Sequence, residues 1–325
     1  MYIEYRSHIK NIGVMFFTVV ISWLTISNSS FADEPKPAVD LTSLFRADMY
    51  PTGFFNISAL DFVFTPQGAD IQVDLKSASG DVIQSYKPSS PNTAASNNAF
   101  SRYKVRSSTR ANLSEGDYLI EAMVDGAVAT RLPFSVYKEK SSDPFASNQE
   151  VHYNGAWQKL GYFHFVKARN FTNNVDYQSV NFRMWSGLSD LPAGTRSDQV
   201  TAQLTRDGTM IAHSKKTSGA LTANSEINRL DLVLFEPHDR DSEANVLALS
   251  ESDLVSGDHS YQLTIARQSD DQVLRSFTFE SKDGALVPMP RNEIGHTPQH
   301  EYLAPRALVQ GTQNYEFETV YWMQM

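Results

Sequence analysis

Oxygen ligands recur at alternate positions in His238-Asp239-Arg240-Asp241-Ser242-Glu243-Ala244-Asn245. They are Asp239, Asp241, Glu243 and Asn245, and a hard cation such as Ca²⁺ takes oxygen ligands presented that way. The run departs from the EF-hand loop in two places. Ala244 stands where that loop needs glycine, and Ser250 occupies the twelfth position, with the acid Glu251 one residue late. Asp239, Asp241, Glu243 and Asn245 are therefore the candidate calcium ligands, set against the plainer expectation of a solvated acidic loop.

A second candidate is His296-Thr297-Pro298-Gln299-His300-Glu301. Two histidines four apart share a metal when a helix places them on one face. Pro298 between them breaks that helix, so the spacing loses its meaning and surface histidines are expected. A third is the aromatic concentration of Trp157, Tyr162, Phe163, Phe165 and Phe171, with His152 and His164 among them. Planar rings on an exposed sheet face stack on sugars or anchor a protein partner. The same stretch also reads as core, because alternation turns Phe163 and Phe165 inward. Trp157 and Tyr162 are the contact candidates there, joined by Tyr321 and Trp322 from an alternating run near the C-terminus.

No nucleophile elbow, His-Glu-x-x-His, P-loop or dinucleotide glycine pattern occurs. Asp and Glu are plentiful enough for a carboxylate-pair glycosidase, but no motif singles out a pair. The expectation is a chain that binds rather than catalyses.

The elements that must carry these residues begin after a leader. Arg6 and Lys10 precede an apolar run over 12–26, and Ser30-Phe31-Ala32 supplies small residues at the positions a signal peptidase reads. Residues 1–32 are expected to be a signal peptide, and the product to be periplasmic or extracellular. The chain has no cysteine. That excludes thiol catalysis and Cys-ligated metals, and in an exported chain of this size it points to a bacterial protein stabilised by core packing. A net charge of −9, with no basic stripe, argues against nucleic acid as a partner. No later stretch is long and apolar enough to span a bilayer as a helix.

Beyond the leader, alternation dominates. Ile71-Gln72-Val73-Asp74-Leu75 and Val200-Thr201-Ala202-Gln203-Leu204 each read as a half-buried strand followed by a turn and a return strand. Asp207-Gly208 is the stronger of the two turn signals. Further strands are expected over 60–64, 118–124, 132–137, 180–185, 230–235, 261–266 and 273–280, with a last one in the 314–322 region. Leu113-x-x-Gly116-x-Tyr118 followed by Phe134 is echoed by Leu254-x-x-Gly257-x-x-x-Tyr261 followed by Phe277, with the same Tyr-to-Phe spacing. These residues resemble the tyrosine corner of immunoglobulin-like and fibronectin-III-like domains. The resemblance implies two tandem antiparallel β-sandwiches in an all-β chain.

The implied organisation is a first domain over 40–138, a linker over 139–148 and a second domain over 149–283. The second carries an insertion over 225–253, and a C-terminal extension over 284–325 ends in a strand. The function expected is a non-enzymatic binding or structural module of the bacterial cell envelope, contacting a protein or glycan. The alternative is a carbohydrate-binding module, with calcium as an optional aid, and after it a hydrolase with hidden carboxylates.

Overall fold

The computed structural model describes residues 37–39, 46–66, 68–87, 101–104, 110–140, 149–170, 175–192, 195–215, 219–222, 228–237, 247–288, 304–305, 317–318 and 320–325. The expected leader, the four candidate calcium ligands, the His296/His300 pair and Phe171 all lie outside the described residues.

The first half contributes β1 (Ala38–Val39), β2 (Arg46–Met49), β3 (Phe54–Ala59), β4 (Asp61–Thr65), β5 (Ile71–Ser77), β6 (Val82–Tyr86), β7 (Ser101–Lys104), β8 (Ala111–Asn112), β9 (Gly116–Val124), β10 (Ala127–Lys140) and β11 (Gln149–Gly155). The second half contributes β12 (Leu160–Asn170), β13 (Val175–Ser186), β14 (Ser197–Arg206), β15 (Thr209–Ser214), β16 (Ala220–Thr222), β17 (Asn228–Phe235), β18 (His259–Arg267), β19 (Val273–Lys282), β20 (Ala285–Leu286), β21 (Ala304–Pro305), β22 (Phe317–Glu318) and β23 (Val320–Gln324). All pairings are antiparallel.

Turn chemistry places the hairpins. Asp207 and Gly208 adopt φ of 49° and 81°, the left-handed pair that a two-residue hairpin loop requires. Asp125-Gly126, at 49° and 75°, does the same between β9 and β10. In both, the aspartate reaches beyond its own turn. Asp125 accepts from the Asp70 amide at 2.8 Å, and Asp207 accepts from the Ser260 amide at 3.0 Å.

The strand order overturns the expected pair of immunoglobulin-like sandwiches. Strands β11-β10-β9-β5-β6 form one five-stranded sheet. β20-β19-β18-β14-β15-β17-β13-β12-β23, with β16 on β14, form a ten-stranded one. Small sheets β1-β4-β7 and β2-β3-β8 complete the first half. A discrete second sandwich would divide its strands between two facing sheets. In the observed order the second-half strands from β12 to β20 join one sheet, which curls around a single buried cluster until side chains of β19 and β23 touch, and is nearly closed into a barrel. The chain is one continuous sheet system, neither sandwich nor tandem repeat.

The repeated tyrosine corner is real locally and misleading globally. Tyr118 donates to the Ser114 carbonyl at 2.8 Å, and Tyr261 to the Leu254 carbonyl at 2.9 Å. The equal spacing does not give equal registers, however. Tyr118 lies opposite Phe134, whereas Tyr261 lies opposite Phe279, and Phe277 faces Leu263. The β18–β19 connection is longer than the two-residue turn of β9–β10, and that displaces the partner by two.

The sheets are fused through their cores. β11 pairs with β10 from Gln149↔Lys140 to Gly155↔Phe134, so the strand after residue 148 extends the first sheet. Trp157, Leu160, Tyr162, Trp185, Val320 and Trp322 join the same buried cluster as Phe55, Leu75 and Phe134. Phe163, Phe165, Phe182, Met184 and Met323 pack instead with Leu204, Leu232, Leu263 and Phe277 inside the curled sheet. β12 is thus buried on both faces, which accounts for its near-continuous apolar run Tyr162-Phe163-His164-Phe165-Val166.

Candidate functional site

The expected contact residues do not form an exposed face. Trp157, Tyr162 and Trp322 are 2%, 0% and 7% exposed and belong to the core between the sheets. Trp157 caps Gly155, and no larger residue fits beneath it: a Cβ on Gly155 would lie 2.3 Å from the indole. Tyr162 sits 4.7 Å from Trp322 and 5.7 Å from Trp185, ring centre to ring centre, and the two indoles stack at 6.1 Å with 8° between planes. This packing joins β12, β13 and β23 and leaves no aromatic platform for a sugar at Trp157 or Tyr162. Phe163 and Phe165 are buried, as their alternation predicts. Among the described residues no three His, Asp or Glu side chains gather as metal ligands.

Tyr321 leads to the site. β23 is the edge of the ten-stranded sheet and pairs with β12 from Leu160↔Gln324 to His164↔Val320. Its far side faces β19, with no ladder between them among the described residues. The two strands meet through side chains. Phe279 lies 5.7 Å from Tyr321 and 5.3 Å from Phe163, and the Tyr321 hydroxyl donates to the Val287 carbonyl at 2.6 Å. Where the barrel fails to close, a cleft of about 800 Å³ remains. It is lined by Thr205, Asp207 and Gly208 of the hairpin, residues 260–262 of β18, residues 278–280 of β19, Val287, Pro288 and residues 321–325. The alternation of β18 and β19 sends Tyr261 and Phe279 inward and leaves Gln262, Thr278 and Glu280 exposed on the outer side.

The electrostatics are one-sided. Glu280 and Asp207 line the cleft, and among the described residues no Lys, Arg or His does. The Ser260 amide holds the Asp207 carboxyl below the usual carboxylate range, helped by His259 Nδ1 at 2.6 Å. Burial pushes the Tyr321 phenol up to about 12, with Glu280 adding to the effect, so this hydroxyl stays protonated and serves as a donor. Trp322 Nε1–H and Gln324 Oε1 are enclosed without a hydrogen-bond partner among the described residues.

The chain matches no protein-family model, no curated protein and no solved structure.

A smaller hollow of about 360 Å³ lies where the first sheet meets β12, among Asp117, Ser135, Asn154, Lys159 and Gln324. Ser135 donates to Asp117 there at 2.6 Å, so its one carboxylate already has a protein donor.

Tyr321 and Trp322, the contact candidates near the C-terminus, line the cleft together with Glu280, Asp207, Gln262 and Thr278, which the sequence did not single out. Their signal was available in the period-two pattern of β18 and β19, whose polar members had to face outward. What they face depends on where β23 docks.

Proposed function

We propose that this chain is an exported binding module of the bacterial cell envelope, and that a protein partner occupies the open seam between β23 and β18–β19. One observation carries the reading: among the described residues the sheet stops one pairing short of closure, and a large cleft borders the edge left over. Unpaired edges are normally blunted or covered, because they invite another chain. Export is supported by the apolar run and the Ala32 cleavage position. The glycan alternative loses its stacking surface with the burial of Trp157 and Tyr162.

Site-specific photo-crosslinking in cells tests the reading. A crosslinking residue at Thr278 or Gln262 should trap one defined protein species. The same residue at Ile83, exposed on edge strand β6 of the other sheet, should not. Equal labelling from Ile83, or none from the cleft, contradicts it.

A further inference from the structure

Resting on that reading, we infer that the partner enters the seam as an extended, positively charged peptide segment that adds a strand to β23. The backbone decides the mode. The Met325 amide donates to the Lys159 carbonyl at 3.1 Å, so these two residues form a hydrogen-bonded pair. In an antiparallel ladder such pairs alternate with non-bonded ones. The register Gly161↔Met323 and Phe163↔Tyr321 therefore turns the amides and carbonyls of Tyr321 and Met323 toward β12. Those of Val320, Trp322 and Gln324 turn to the cleft. Backbone groups along an unpaired strand edge are a ready template for pairing, and a strand laid along this edge supplies their partners.

The charge decides the peptide's character. Glu280 makes no ion pair among the described residues and, with Asp207, faces a cleft whose described lining contains no cation. An incoming Lys or Arg complements that lining, and an acidic segment is repelled by it. β23 spans five residues, about 17 Å at strand rise, so a short extended segment suffices.

The test uses the whole protein and a fluorescent alternating Lys-Val octapeptide, followed by anisotropy at low and high salt. Three competitors accompany it: a Glu-Val octapeptide, and a Lys-Val and a Lys-Thr octapeptide N-methylated at alternate residues so that one edge cannot pair. The inference expects the Lys-Val peptide to bind and to weaken with salt. The N-methylated peptides should bind about tenfold more weakly or worse, as several lost hydrogen bonds imply. Glu280→Gln, on an exposed position, should keep its melting temperature and lose roughly fivefold in affinity. No Lys-Val binding, undiminished binding of the N-methylated forms, or equal binding of the Glu-Val peptide overturns it. A crosslinked partner at Thr278 alongside any of these failures leaves the site standing and removes only the peptide mode. No crosslink at all removes the site.

Discussion

Tyr321 and Phe279 stand 5.7 Å apart across the two ends of one sheet, yet among the described residues no backbone ladder joins their strands. Side chains from β23, β12 and β19 fill the interior at this point and hold the ends together. Among the described residues the backbone edge outside them has no ladder partner. This is how a nearly closed barrel can be stable and still offer a strand edge.

The aromatic core between the sheets is structural. Trp322→Ala removes the ring that stacks on Trp185 and touches Tyr162, and a buried Trp truncated to Ala costs about 3–5 kcal/mol. Chemical denaturation should show that loss. A variant as stable as the parent would place Trp322 at the surface.

Gly155 exists for Trp157. A methyl group added at Gly155 meets the indole at 2.3 Å and must displace it. Gly155→Ala should therefore destabilise by about 1–3 kcal/mol, the usual cost of overpacking, and should shift the Trp157 emission. Unchanged stability and emission would contradict this packing.

The two tyrosine corners are unequal. Tyr261 bonds Leu254 in a buried setting, whereas the Tyr118 bond is partly solvent-exposed. Tyr261→Phe strands a buried carbonyl and should cost about 1–3 kcal/mol; Tyr118→Phe should cost about 0.5–1.5 kcal/mol. Denaturation midpoints of the two single variants compare them directly, and a larger loss from Tyr118→Phe would reverse the assignment.

Acid should unfold the first sheet partly through Glu121. Hydrogen bonds from Lys76 and then Arg131 hold its carboxyl below the ordinary value. A carboxylate lowered on folding stabilises fully above its unfolded pKa, and that stability disappears as pH falls through the folded one. Stability should therefore drop from about pH 4.5 downward, and Glu121→Gln should flatten that part of the curve. An identical acid profile in the variant would rule Glu121 out as a contributor.

Much of the local structure was legible in the sequence. Asp207-Gly208 and the flanking alternation gave a hairpin in its right place, and β23 begins inside the 314–322 run that reads as a last strand. The architecture was not legible, because it depends on which strand pairs with which. β17 lies within residues that read as an insertion, yet it is an interior strand between β13 and β15. Its position in the sheet is set by Leu230 and Leu232 packing into the curled interior, a tertiary fact with no local marker. The repeat of Tyr118 and Tyr261 was equally deceptive. A hydroxyl that braces a corner stabilises any antiparallel connection of that shape and does not specify the sheet around it. For the site, Tyr321 and Trp322 were visible as aromatics, but the wall opposite them was not. Glu280 and Thr278 become cleft residues only because β23 stops beside β19.

Residue-resolved amide exchange along β23 tests the central claim, an open strand edge in the seam, most directly. The account predicts alternation in the free protein. The amides of Tyr321, Met323 and Met325 should be protected and those of Val320, Trp322 and Gln324 fast, the latter slowing when the Lys-Val peptide is added. Uniform protection of all six amides without peptide would mean that the edge is already paired, and would contradict the account.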